Sequence, residues 1–361
     1  MPNPTTAIAC LLCLSATAIA DDYVVETIAD GLMHPWSVAV LDDGALLVTE
    51  RIGQLRRVSP SGNVSEPIDG VPSVYFAGQG GLQDIVLDPG FVDNLTVYLS
   101  YAEGEPGQNQ TAVARAVLSG ASLVDVEVIF RVTPAKDTPV HYGARLAFMR
   151  DETLLLTTGD GFDYRESAQD IESGLGKVIR INTDGSAAAG NPFPNAPYVW
   201  SYGHRNPQGL AVARDGTVYL HEHGPAGGDE INVLEAGANY GWPAITYGLD
   251  YNGAYVSPYT EWEGMRQPLH YWVPSIAPSG LAVYEGNMFP EWQGDLFIGA
   301  LVDREVRRLE VDAGSVVNEQ RAFTEIDARV RDIRVGRDGS IFVVTDGESG
   351  KVLRVSRRGQ N

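Results

Sequence analysis

The 361-residue chain predicts an all-β fold, a six-bladed β-propeller with a central channel. Three observations carry that prediction. A hairpin-like segment recurs along the chain, glycine and proline interrupt it every few residues, and no window holds a sustained apolar stripe of helical period. With 40 glycines and 21 prolines, long helices have little room.

Residues 1–20, MPNPTTAIACLLCLSATAIA, read as a cleaved secretory signal, with Ala18 and Ala20 in the small-residue spacing that signal peptidase accepts. The apolar run is too short and wrongly flanked for a membrane anchor. Residues 21–361 contain no Pro/Ser/Gly-rich linker and are expected to form a single domain.

Within that domain DDGALLVTERIGQLRRVSPSG, at 42–62, is the first clear unit. Looser copies follow in LQDIVLDPGFVDNLTVYLSYAEG at 82–104 with TAVARAVL after it. A closer copy, DETLLLTTGD then GKVIRINTDG, spans 151–185. RDGTVYLHEHG with EINVLEAG, then WQGDLFIGALVDREVRRLEVDAG, come next, and RDGSIFVVTDGESGKVLRVS closes the series at 337–356. The grammar is an Asp-Gly type turn, a short alternating strand, a polar loop containing glycine, and a second strand. Six units of about 57 residues each suit blades of four strands plus loops, whereas a parallel β-helix needs much shorter repeats.

Composition excludes several functions. The formal net charge is −21, and Lys136, Lys177 and Lys351 are the only lysines, so nucleic acid and anionic membrane are poor partners. Both cysteines, Cys10 and Cys13, fall in the signal. The mature chain therefore has no thiol for a disulfide, a haem attachment or nucleophilic catalysis, and export without disulfides points to a soluble protein of a bacterial periplasm.

Polar loops that precede the first strand of each blade should converge on one rim of the channel. They are GQGGLQD at 78–84, VHYGARL at 140–146, GHRNPQG at 203–209, PSIAPSG at 274–280 and ARVRD at 328–332. The densest polar segment runs from Tyr202 to Asn232 around what reads as one short strand, AVARDGTVYL. His141 is the candidate general base, and Asp160 could fix its tautomer. A lone loop histidine is more often structural or solvent-exposed, so this assignment rests on its neighbours.

Arg205 and Asn206, stiffened by Gly203 and Pro207, can aim a guanidinium and an amide at an oxyanion or carbonyl. Arg329 and Arg331 flank Val330 and face the same side, and together these donors suit a planar anion held by bidentate pairing. Arg334 and Arg337 are expected to pair with surface acids. Gly224 and Pro225 offer consecutive carbonyls, with Asp229 and Glu230 as nearby carboxylates, a composition that fits either calcium or a plain turn. His204, His221 and His223 alternate without any cysteine nearby, which argues against zinc.

Taken together, GLMHPWSVAVLDDG, GQGGLQDIVLDPGF, HYGARLAF, WSYGHRNPQGLA, EHGPAGGDEIN, ANYGWPAITYG, PSIAPSGLAVYEG and RVRDIRVGRDG resemble the soluble, pyrroloquinoline-quinone-dependent aldose sugar dehydrogenases of the glucose/sorbosone dehydrogenase family. The resemblance runs from about Gly31 to Val355. It implies a six-bladed propeller that binds pyrroloquinoline quinone (PQQ) over its channel with calcium bridging cofactor and protein. It implies that His141, supported by Asp160, removes the proton of the sugar C1 hydroxyl as hydride passes to the quinone, and that Arg205 helps polarise the quinone. Gln79, Arg205, Asn206, Arg329 and Arg331 match the cofactor contacts. Gly224 and Pro225 match ligands of the cofactor calcium, and Glu230 and Tyr240 those of a second, structural calcium.

One departure stands out. Where the glucose dehydrogenase branch places a cofactor-contacting lysine, this chain reads GALVDREV, so Leu301 and Val302 can line the cofactor only through backbone and apolar contact. Without a haem motif, electrons must leave to an external acceptor, a quinone or a cytochrome. A monomer and a dimer fit the sequence equally. Calcium-dependent propeller lactonases and non-enzymatic carbohydrate-binding propellers are the competing readings; the first needs several carboxylates around one channel metal, the second the loss of His141 or the arginine pair.

Overall fold

A computed structural model describes residues 22–359, and the expected signal, residues 1–20, lies outside them. Six antiparallel sheets surround an axis. Their innermost strands are Pro35–Val40, Leu82–Leu87, Gly143–Phe148, Pro207–Val212, Pro278–Val283 and Val330–Val335. Each packs against the next, and the last packs against the first. Helix among the described residues is limited to Phe91–Asn94 and three short 3₁₀ turns.

The recurring hairpins seen in the sequence are the middle strands of the blades, such as Leu46–Glu50 with Gln54–Val58 and Ile341–Thr345 with Gly350–Arg357. These strands are apolar runs rather than alternating ones, because neighbouring blades bury both faces. Period-2 geometry divides each run between two interfaces. Leu154 and Leu156 face the second blade while Leu155 faces the fourth; Val343 faces the fifth blade while Val344 faces the first. Six apolar clusters result, one per blade interface.

The outer strands depart from the repeat. The first blade has three strands, and the fourth blade ends on the three-residue strand His270–Trp272. The N-terminal strand Tyr23–Leu32 pairs antiparallel with Gly350–Arg357 as the outermost strand of the sixth blade, so the two ends of the chain close the ring. The segment AVARDGTVYL is a hairpin rather than one strand: Pro207–Val212 and Val218–Glu222 pair through a turn at Asp215 and Gly216.

At the axis the inner strands meet through charge. Arg145, 1% exposed, donates through Nη1 to Asp332 at 2.7 Å, through Nε to the Gln208 carbonyl at 2.7 Å and through Nη2 to the Arg331 carbonyl at 3.0 Å. Its guanidinium also lies 4.0 Å from the centre of the Trp36 ring. Asp84 accepts from Ser37 Oγ at 2.5 Å, the Leu146 N–H at 2.8 Å and Arg334 at 2.9 Å. Arg334 thus corrects the expectation from sequence, for it pairs with buried Asp84 and Asp332 and not with surface acids; Arg337 does pair with Asp42 at the surface.

Among the described residues no helix is long and apolar enough to cross a membrane. Because breaking a buried pair strands the remaining charge, Arg145→Leu should cost about 3–5 kcal/mol of stability. A loss of that size in unfolding free energy, read from the denaturant midpoint at unchanged slope, is the outcome to check; a loss below about 1 kcal/mol would remove Arg145 from its role.

Candidate active site

His141 sits at the loop-to-strand junction of the third blade with φ 53°, a left-handed conformation that costs a non-glycine residue about 1–3 kcal/mol. Its surroundings hold it there. The His141 N–H donates to Gln79 Oε1 at 2.8 Å, and the ring Nδ1 meets Asp160 Oδ1 at 2.7 Å. Asp160 is itself fixed by the Phe162 N–H and the Trp242 indole N–H, each at 2.8 Å. With Nδ1 committed to a carboxylate, Nε2 is left as the proton acceptor.

Burial lowers the pKa of His141, with Arg205 and Lys136 acting in the same direction and Asp160 against them, so the neutral ring is favoured. Burial would raise the Asp160 pKa, but the His141 hydrogen bond, with the charge of Arg205 behind it, outweighs burial and the pKa is lowered. A neutral imidazole backed by an ionised carboxylate is the arrangement a general base needs.

Beside this pair lies a cavity of about 300 Å³ lined by Gln79, Asn206, Leu301, Val302, Arg329 and Arg331. Every residue expected to touch a cofactor is therefore brought to one place, apart from Arg205, which borders two adjoining hollows. Leu301 is buried and Val302 is exposed to the cavity mouth at 58%. The Leu301 carbonyl accepts from Arg329 at 3.1 Å.

The sequence reading missed Arg51 and Asp346 in the same wall. Asp346 lies 3.2 Å from both Arg329 and Arg331, and these two guanidiniums overcome its burial to lower its pKa. The acid partner absent from the local sequence is thus supplied from beyond the next strand. Arg331 Nε and Arg205 Nε are buried donors without a partner among the described residues. Two such donors, Arg331 in the cavity wall and Arg205 at the adjoining hollows, fit anionic, oxygen-rich ligands.

Carbonyl oxygens gather on the other side of Arg205, which donates to those of His223 at 3.2 Å and Gly224 at 2.8 Å. Asp229 is not available to a cation, because its oxygens accept from the Gly224, Ile276 and Ala277 N–H groups and from Ser275 Oγ. Its work is to tie the Gly224 loop to the fifth blade. Pro225 faces the second hollow beside Arg205.

Glu230 lies opposite Glu222 on paired strands, and the two carboxylates border a void of about 10 Å³ with Gly224, Gly228 and Tyr240. Burial first, then Glu222, pushes the Glu230 pKa up to about 8. The Tyr240 hydroxyl donates to the Val233 carbonyl and accepts from the Glu235 N–H, so only its backbone oxygen could bind a metal. Among the described residues no three His, Cys, Asp or Glu side chains converge, so a cation would depend on carbonyls.

The three histidines that first attract zinc are used otherwise. His204 bridges Glu222 and Ser201, and His223 contacts the Pro278 carbonyl at 2.6 Å while lining the cavity. His221 is fully buried.

The sequence matches the profile of the family described as Glucose / Sorbosone dehydrogenase over residues 32–354. It is 41% identical to the aldose sugar dehydrogenase YliI of Escherichia coli strain K12, over 96% of this chain and 97% of that protein. The crystal structure of a glucose dehydrogenase superimposes with a TM-score of 0.89 at 43% identity, covering 92% of this chain and 99% of the other. The PQQ-bound aldose sugar dehydrogenase of Streptomyces coelicolor does so with a TM-score of 0.77 at 29% identity, covering 92% and 98%.

A methyl group at Gly159 would lie 2.2 Å from the His141 carbonyl oxygen, a backbone atom that cannot swing away. Gly159→Ala should cost about 1–3 kcal/mol and displace His141. Thermal denaturation and the histidine ring signals in NMR test this, and an unshifted His141 signal would refute it.

Proposed function

Because the chain belongs to the glucose/sorbosone dehydrogenase family, an assignment that makes it an oxidoreductase acting on sugars, we propose that it oxidises aldoses at C1 to lactones with PQQ and calcium. The observation that carries this reading is the buried His141–Asp160 pair standing beside a cavity where Arg329 and Arg331 converge. When bound, PQQ supplies an electrophilic quinone carbon that accepts hydride from C1. His141 Nε2 takes the proton of the C1 hydroxyl, and Asp160 stabilises the imidazolium that forms. Arg329 and Arg331 would pair the cofactor carboxylates, Arg205 would polarise the quinone, and Gln79 and Asn206 would orient it.

The cofactor calcium would fall to the Gly224 and Pro225 carbonyls and a second calcium to Glu230 and the Tyr240 carbonyl. The donor set supports this, because carbonyl and carboxylate oxygens are what calcium takes. A cation beside Glu230 would also relieve the pressure that keeps a buried carboxyl protonated. A cleaved leader at residues 1–20 would direct a single propeller domain to the periplasm, its electrons passing to a separate acceptor.

Reconstitution of the purified chain with calcium and PQQ should give aldose-dependent reduction of a redox dye. The reading fails if a broad sugar panel gives no turnover and no cofactor absorbance is retained. His141→Ala should keep cofactor absorbance and lose about 10²–10⁴-fold in kcat. With the His141 pKa lowered, the acid limb of kcat/KM should fall below pH 6.5. Since Asp160 raises that pKa, Asp160→Asn should lower kcat and move the limb to still lower pH; movement upward would contradict the pairing.

The Glu230 site has its own pH signature. Between pH 4.5 and about 8 the folded, calcium-free chain holds a proton that the unfolded chain has released. This contribution to stability is lost as pH rises through that window. Calcium should raise Tm more at pH 8 than at pH 5, the stabilisation at pH 8 amounting to about 2.7 kcal/mol at a hundredfold excess over the Kd at that pH. Glu230→Gln should remove most of that gain, and a gain unchanged by the substitution would place the cation elsewhere.

A further inference from the structure

The chain is strongly biased toward arginine, with Lys136, Lys177 and Lys351 the only lysines among 26 basic residues. Lys136 lies five residues before His141 and is 3% exposed, yet among the described residues no carboxylate pairs with its ammonium. Its protons go to neutral groups. Nζ donates to Asn109 Oδ1 at 3.1 Å and to the Thr138 carbonyl, and it lies 3.6 Å from the centre of the Tyr142 ring. A compact ammonium suits this confined place better than the planar fork of an arginine. A buried charge facing only neutral groups costs stability, so packing alone gives no reason for it.

Lys136 touches the residue that follows each member of the His141–Asp160 pair. Tyr142 follows His141, and Gly161 follows Asp160; a methyl group at Gly161 would lie 2.8 Å from Lys136 Cδ. The surroundings hold the lysine under both. Asn109 and Lys136 exchange two backbone hydrogen bonds of 2.8 Å each, and the Tyr142 hydroxyl donates to the same Asn109 Oδ1 at 2.6 Å. Thr138 Oγ1 donates to the Gly161 carbonyl, also at 2.6 Å. Tyr142 lines the cavity and Lys136 does not, so the ammonium can influence a reaction there only through the pair.

The charged groups that bear on Lys136 are Asp160 and Asp137, and those that bear on His141 are Asp160, Arg205 and Lys136. Burial pushes Lys136 down to about 7 against the pull of the two carboxylates. It therefore still carries its charge below pH 6.5, where His141 takes up a proton. With the imidazole neutral, Lys136 and Asp160 compensate each other. Protonating the ring leaves a net positive charge in a buried place, which Lys136 and Arg205 both oppose. Arg205 also serves the His223 and Gly224 carbonyls, whereas Lys136 has no second charged task.

We propose that Lys136 is a positioning residue for the general base: its fixed charge keeps the His141 ring free to accept the C1 hydroxyl proton and promotes release of that proton to water before the next turnover. Asp160 stays ionised throughout, and no electrons pass through Lys136. The proposal rests on the reading of His141 as the base.

The test is an NMR titration of the His141 ring in the full chain without cofactor, the signal being identified by its absence from His141→Ala. In Lys136→Met and in Lys136→Gln the midpoint should rise by about one pH unit. The acid limb of kcat/KM in the reconstituted holoenzyme should move up with it, opposite to the movement in Asp160→Asn. Asn109→Asp pairs the ammonium with a carboxylate instead of deleting it and should also raise the midpoint; this variant decides the matter if neither Lys136 variant folds. A midpoint within about 0.2 pH unit of the parent in both Lys136 variants overturns the proposal. So does a rise in Lys136→Met that is absent from Lys136→Gln, since lost packing and not lost charge would then be the cause. An unchanged midpoint in a chain that oxidises sugars removes Lys136 and leaves the proposed reaction standing. A raised midpoint in a chain without turnover on any sugar supports the coupling and removes the reaction instead.

Discussion

Ring closure is the constraint on which the rest depends. Six sheets that close on themselves bring six strand starts to one axis, where backbone and side-chain polar groups have little access to water. Arg145 answers that demand from a single position, reaching Asp332 and the carbonyls of Gln208 and Arg331 while stacking on Trp36. Four blades therefore meet at one guanidinium. The planar fork of arginine suits this role, since a lysine at the same place could not hold three acceptors in fixed directions. Asp84, Asp332 and Arg334 complete a cluster whose charges are mutually compensated, so burial does not leave an isolated ion.

That plug also builds the candidate site. Arg145 lies two residues after Gly143 on the strand that His141 introduces, and Asp332 follows Arg331 directly. Inner-strand alternation turns Asp332 toward the axis cluster while Arg331 lines the cavity above it. A rigid axis beneath and a constrained turn above leave His141 little freedom, and its strained backbone persists because Gln79, Asp160 and the close approach of Gly159 hold it from three sides. The fixed placing of the His141–Asp160 pair is thus a by-product of how the ring is closed.

The middle hairpins of the blades were legible because both of their faces are buried and their turns carry Asp-Gly signals. The closing strand Tyr23–Leu32 was not, since its partner lies more than 300 residues away and its half-exposed pattern looks like any edge strand. Side-chain roles divided along the same line. His141, Arg205, Asn206 and the Arg329/Arg331 pair could be placed from loop position relative to the following strand. Asp346, Glu222 and Arg51 could not, because each comes from the end of a middle strand or just beyond it, and no local pattern marks such a position. Arg334 and Asp229 were misread for one reason: sequence shows a charge but not whether its partners are water, surface acids or a buried network.

Arg51 also bears on the missing lysine at Val302. The cavity holds three cations, Arg51, Arg329 and Arg331, against the single carboxylate of Asp346. Arg51 is tied to the Gly78 and Gly80 carbonyls, and burial, then the neighbouring Arg331, lowers its pKa. Repulsion between like charges in a confined space is relieved by an anion, so the cavity is electrostatically primed for one even though the chain as a whole carries −21. Replacing a flexible ammonium by valine therefore removes one directed contact without removing the positive field. The rigid arginines, fixed by carbonyls and by Asp346 before any ligand arrives, place that field at lower entropic cost than a mobile lysine would.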